Sequence, residues 1–208
     1  MHSAVDVPGD FDQTDVPSIV RGSVLLGLFE SVVVLLFSLG SRFLAPPVET
    51  VVLAVILLTG LAGVTLLPGL WTRARTIEGI AGAAGIGLGA TLVFMLIDIA
   101  LLQNIGTYTD RWYQIGAANW WYHPVWWLLG TFLPWLGAWI LANQMERNGR
   151  VSAPAAFGTA VAFAIAVAIV AVLIGFPGAR WTLATLGVAF IPGLALATAL
   201  SAMGTRRA

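Results

Sequence analysis

The sequence predicts an all-α protein, a polytopic bundle of six transmembrane helices. Composition is the first reason. Hydrophobic residues make up 59% of the 208-residue chain and charged ones only 10%, where a soluble domain carries about 25% charged residues. A water-facing protein of this size lacks the polar surface to cover such an excess; a lipid-facing one does not need it. Patterning is the second reason. The apolar residues fall into six runs, at 19–40, 48–68, 77–102, 124–144, 154–175 and 182–203, each near the ~20 residues that cross about 30 Å of hydrocarbon. Third, runs such as 161–174 show no period-two alternation. Lipid leaves only helices or a closed barrel as spanning structures, and without alternation helices follow.

Residues 1–17 read as an acidic, flexible N-terminal tail, with Asp6, Asp10, Asp12 and Asp15 among Pro8, Gly9 and Pro17. A secretory signal opens on basic residues, and this start is acidic. Pro17 suits the first turn of a helix. Residues 18–204 then form one transmembrane domain, followed by a short basic tail at 205–208. Pro46-Pro47, Pro68-Gly69 and Pro177-Gly178 punctuate the joins. The aromatic loop 104–123 predicts a short interfacial helix that leads into the fourth span.

Arginine placement orients the chain. With the N-terminus inside, Arg21, Arg73, Arg75, Arg147, Arg150, Arg206 and Arg207 lie on the cytoplasmic side, against Arg42, Arg111 and Arg180 outside. Both termini are therefore expected in the cytoplasm. All the basic residues are Arg, and Ala, Gly and Val abound. This fits a GC-rich prokaryotic genome and hence the plasma membrane of a prokaryote. A faint echo between the stretches starting at Pro68 and Pro177 suggests a weak inverted repeat of three plus three helices.

Composition also excludes chemistry. Zero formal net charge leaves no basic footprint for nucleic acid. The absence of cysteine removes disulfides, thiolate nucleophiles and cysteine-ligated metal sites. The absence of lysine excludes Schiff-base chemistry. One histidine outside the tail, His123, offers no metal-ligand cluster. No HExxH, GxSxG or P-loop motif is present, and the sequence leaves any cofactor unknown.

Glu30 is the most informative residue, a carboxylate near the middle of the first span. Such a group costs a few kcal/mol to insert and normally faces a bundle interior or a wet cavity. It is a candidate ion- or proton-binding group, or else a clamp between helices. Asp98, late in the third span, is a second candidate. It is expected about one turn from the outer boundary, within reach of interfacial water and of Arg42 or Arg111. Trp112, Trp120, Trp121, His123, Trp126 and Trp127 crowd the loop and the mouth of the fourth span, and Trp135 and Trp139 continue a stripe along it. They suit an interfacial belt or the wall of a ligand pocket.

Small residues recur every four positions: Gly79, Ala83, Gly87 and Thr91; Ala81, Gly85 and Gly89; Ala160, Ala164 and Ala168; Gly193, Ala197 and Ser201. These are helix-packing seams, or faces for a homo-oligomer or membrane-complex partner. Three functions follow as expectations: a small transporter or channel using Glu30; a non-catalytic membrane subunit or scaffold; and a membrane enzyme or binding protein for a lipid-like ligand in an aromatic pocket. The lipid bilayer is the one partner common to all three.

Overall fold

Asp15 starts the first helix. Its carboxylate accepts the Ser18 N–H at 3.1 Å, and Pro17 occupies the first turn. This cap is why α1 (Val16–Phe43) begins three residues before the predicted span. The computed structural model describes residues 12–109 and 122–203, without the side chains of 122–128. Five helices follow: α2 (Val48–Trp71), α3 (Ile77–Ile97, continued by a π-helical turn at Asp98–Leu102), α4 (Tyr122–Asn148), α5 (Ala153–Leu173) and α6 (Leu183–Ala202). No strand occurs among the described residues. The expected six-helix bundle is thus the architecture found.

Five of the helices, α4 excepted, are long and apolar enough to cross a membrane. α4 runs for 27 residues, about 40 Å at 1.5 Å per residue. It joins the far end of α3 to the start of α5 and packs on α2, α3 and α6, so it crosses with them. Side-chain sorting agrees with a lipid exterior. α5 buries Ala156, Ala160, Ala164 and Ala168 and exposes Ile165, Ile169, Val170 and Leu173. Placing small residues inward and large apolar ones outward inverts the soluble pattern and suits helices that meet in hydrocarbon.

Helices α1, α3, α4 and α2 form a ring of neighbours, and the α5–α6 pair attaches chiefly through α6 to α4. Backbone approach sets the register. A methyl group at Gly27 would fall 2.8 Å from the Ala90 carbonyl oxygen, one at Gly87 would strike the Gly130 carbonyl, and one at Gly193 would fall 2.5 Å from the Ala164 nitrogen. The rows headed by Gly79, Ala160 and Gly193 are thus buried seams. The row Ala81, Gly85, Gly89 is not: Ala81 is exposed, Gly85 has open space beside it, and only Gly89 meets a neighbour, Ser23.

The halves of the chain pack differently, so the expected inverted repeat has no counterpart in the helix neighbourhoods. α1 packs closely on both α2 and α3, whereas its would-be equivalent α4 barely meets α5. The echo between the two stretches reflects shared apolar composition.

Residues 12–15 lie against the α2–α3 turn. The Asp12 carboxylate accepts the N–H groups of Arg75 at 3.0 Å, Thr76 at 3.0 Å and Gly79 at 2.9 Å, and also the Thr76 hydroxyl. The Gln13 N–H donates to the Thr72 carbonyl at 2.9 Å. A side chain from the segment before α1, more than sixty residues away in sequence, thus satisfies the open N–H groups at the start of α3. The turn takes Arg73 through φ 51°, a left-handed value unfavourable for a residue with a side chain, and the Asp12 bonds brace it.

Candidate functional site

Glu30 sits on the α1 stripe Ser23, Leu26, Glu30, Val34, which faces the other helices. Its register follows from its neighbours. Phe29 meets Gly63 and Val33 meets Gly60 on antiparallel α2, while Gly27 meets Ala90 and Val93 on parallel α3. Glu30 therefore lies at the level of Gly63 and Phe94, near the midpoint of α1. It is 6% exposed.

Nearby hydroxyls are satisfied within their own helices. Ser31 donates to the Gly27 carbonyl at 2.8 Å, Ser23 to Ile19 at 2.8 Å and Thr91 to Gly87 at 3.0 Å, the usual back-bonding that lets a hydroxyl enter a helix bundle. A glutamate has no such option when ionised, because it carries no donor. Among the described residues its carboxylate makes no hydrogen bond. The Thr65 hydroxyl on α2, within about a turn of the same level, is also buried without a partner.

Asp98 belongs to the same region. With Gly27 opposite Ala90 and Val93, and with Val34, Phe94 and Leu102 in one cluster, Asp98 lies roughly one helical turn beyond Glu30, about 5 Å along the axis. It is 0% exposed, which corrects the expectation of a water-accessible group near the boundary. The reason is the segment after α3. At the π-helical turn the Gln103 N–H donates to the Asp98 carbonyl at 2.9 Å, and the chain folds back. The Gln103 side-chain amide donates to Asp98 Oδ2 at 2.7 Å and the Tyr108 hydroxyl to Oδ1 at 2.6 Å. Arg42 donates to the Gly106 carbonyl, and Ser38 donates to the Thr107 carbonyl, strapping this segment to α1. Arg111 lies outside the described residues.

Buried polar groups recur along the bundle, and the second carboxylate lies toward the Phe43 end. From the end of α1 at Phe43 inward come Ser41, Ser38, Thr107, Asp98 and then Glu30. Beyond Glu30, toward the Asp15 end, Leu26, Ile86 and Ala90 close the interior with Leu67 and Trp71 packed against them. The arrangement holds a carboxyl group at mid-depth, with Asp98 toward the Phe43 end and, toward the Asp15 end, apolar packing interspersed with the buried hydroxyls of Thr65, Thr91 and Ser23.

Sequence reasoning missed Glu49, 3% exposed in the first turn of α2. Its position after Pro46-Pro47 reads as a surface boundary. The predicted aromatic residues are only partly placed. Trp112, Trp120 and Trp121, with most of the expected interfacial helix, lie outside the described residues. His123, Trp126 and Trp127 lie on α4, where their side chains are likewise outside them. Residues 103–106 form turns rather than helix. Trp135 stacks edge-on against Phe132 and Trp139, with ring centroids 5.7 and 6.5 Å apart. Trp135 is exposed, and Trp139 packs against the buried cluster of Ala74, Ile80, Ala83, Ala138 and Ala142. Among the described residues no group of three His, Cys, Asp or Glu side chains is placed to hold a metal ion.

Fold and composition define the class: an integral membrane protein built as a helical bundle. Comparison with protein-family models, with curated proteins and with solved structures finds no match to this chain.

Proposed function

We propose that the protein carries a proton or a small monovalent cation across the membrane, with Glu30 as the mid-bundle binding group. The observation that supports this is Glu30 itself, buried at the centre of α1 with no hydrogen-bond partner among the described residues. A structural clamp in a low-dielectric bundle gains its stability from hydrogen bonds, and an unmade one costs about 1–3 kcal/mol. A carboxylate that exchanges a proton or an ion must instead remain uncommitted. Asp98 is the neighbouring carboxylate on the side of the Phe43 end.

The Asp15 end of the bundle faces the cytoplasm of a prokaryotic cell in this reading. Arg73, Arg75 and Arg150 follow helices that end there and Arg147 lies in the last turn of α4, while Arg42 and Arg180 lie at the opposite end, in keeping with the positive-inside bias. The test is flux in proteoliposomes, with an internal pH dye for protons and a sodium-sensitive dye for sodium, under an imposed potential. Wild type moves one of the two ions, and Glu30→Gln slows that flux by at least about tenfold, equivalent to 1.4 kcal/mol on the barrier. Equal flux in wild type and Glu30→Gln removes Glu30 from the mechanism.

A second reading, a non-catalytic subunit, draws on one observation. The outer face of α5 carries an open groove of about 650 Å³ lined by Ala155, Gly158, Thr159, Ala162, Phe163 and Ala166, with Leu200 at its edge. Small residues on a lipid-facing helix allow another helix to approach closely. Mass measurement after extraction in mild detergent separates the two: a monomer without partner chains counts against the subunit reading.

A further inference from the structure

We propose that Tyr108 and Gln103 form a gate over the carboxylate pair, holding Asp98 in a closed state that seals Glu30 from the Phe43 end of the bundle. This rests on the reading of Glu30 as a transport site and adds how access to that site is controlled.

Four features of the segment 103–109 carry the inference. First, both Asp98 oxygens are engaged by donors from this short segment, Gln103 at 2.7 Å and Tyr108 at 2.6 Å. A transported cation competes with those donors for the same oxygens. Second, the segment is joined to α3 through a π-helical turn, an irregularity in which one extra residue per turn leaves the helix end easier to rewind. Gly106, in the left-handed region at φ 71° with open space beside it, provides a second pivot. Third, the segment is tied to α1 by bonds to its own carbonyls: Ser38 to Thr107 and Arg42 to Gly106. The Arg42 bond is exposed and the Ser38 bond buried, so the segment is held at both its outer and inner sides. Fourth, the Thr107 hydroxyl, on the same segment, is 2% exposed and has no hydrogen-bond partner. A buried hydroxyl left unmade is unfavourable, so the closed arrangement holds an oxygen ligand in reserve beside the Asp98 site. When the segment swings, Asp98 loses the Gln103 and Tyr108 donors, and Thr107 can take up an acceptor or a cation.

The closed state places Tyr108 against the cluster of Val34, Phe94 and Leu102, directly between the Phe43 end and the level of Glu30. Opening therefore exposes Val34. Because the chain contains no cysteine, a single Val34→Cys variant reports on this opening without background.

The experiment measures the rate at which a small water-soluble methanethiosulfonate reagent labels Val34→Cys in proteoliposomes, with and without Tyr108→Phe. The phenyl ring keeps the packing and deletes only the hydroxyl donor. Loss of one bond to a carboxylate raises labelling by about tenfold, since 1.4 kcal/mol is a factor of ten. Thermal melting in detergent is read on the same samples, to confirm that both variants are folded. A labelling rate unchanged by Tyr108→Phe in folded protein overturns the gate. The same ring-only variant also raises ion flux, and the Glu30→Gln/Tyr108→Phe double variant returns it to the Glu30→Gln level. Raised flux that persists in the double variant overturns the claim that the gate guards Glu30. Labelling does not depend on transport. If Glu30→Gln leaves flux intact while Tyr108→Phe still speeds labelling, the transport reading fails and the gate stands as a structural fact about Asp98.

Discussion

Gly87 and Gly85 lie two residues apart on α3, and the same substitution at each should act in opposite directions. At Gly87 an added methyl group strikes the Gly130 carbonyl and comes within 2.5 Å of Pro134 Cγ. The obstacle is backbone and a proline ring, neither of which can rotate aside, so α3 and α4 must separate. Overpacking of this kind costs about 1–3 kcal/mol, and the close Cα–H···O contact across the seam is lost in addition. At Gly85 nothing lies within 4 Å, and alanine is favoured over glycine in a helix by about 0.5–1 kcal/mol. For a chain of 150–250 residues each kcal/mol moves the melting temperature by about 2–4 °C. Melting of the purified variants in one detergent should therefore place Gly87→Ala about 2–12 °C below wild type and Gly85→Ala at or slightly above it. Equal shifts for the two, or a loss confined to Gly85→Ala, would refute the α3–α4 register and with it the level assigned to Glu30.

Two further outcomes follow from the ends of the helices. Asp12→Ala removes the acceptor for three N–H groups at the start of α3; a lost cap costs about 0.5–2 kcal/mol, and hydrogen exchange at Thr76 and Gly79 should quicken while exchange in α5 stays unchanged. Hydrogen bonds from Ser18, first its side chain and then its backbone, hold the Asp15 carboxyl below its ordinary value. Its contribution is therefore present above the unfolded value near 4 and is lost as pH falls through the lower folded one. Comparing wild type with Asp15→Asn by melting from neutral to acid pH isolates that component, since asparagine caps as well as aspartate; a gap between them that stays constant with pH contradicts it.

The parts of the molecule readable from sequence were those set by the solvent. Apolar runs of membrane length announced their helices, and the four-residue spacing of Ala160, Ala164 and Ala168 announced a seam. Glu30 was visible because a carboxylate inside such a run stands out against its neighbours. Its surroundings were not visible, since the level of Gly63 and Phe94 depends on how three helices slide past one another. Asp98 shows the limit most clearly. Gln103 and Tyr108 engage it where the helix ends in a π turn, and that turn leaves no compositional mark. Glu49 was hidden for the opposite reason: beside two prolines it looks like a surface residue. The second small-residue row failed because spacing alone does not say which face of α3 meets a partner, and Gly85 turned out to have open space beside it.

The α5–α6 hairpin leans on the rest of the molecule chiefly through α4. During synthesis it leaves the ribosome after the ring of four earlier helices, which then has its berth ready. The hairpin brings its own alanine-lined interior, with Gly193 seated on Ala164, so it can assemble internally before it docks. Breaking the chain between Asn148 and Ala153 would therefore divide the protein along a natural joint, leaving two fragments that each retain their main helix contacts.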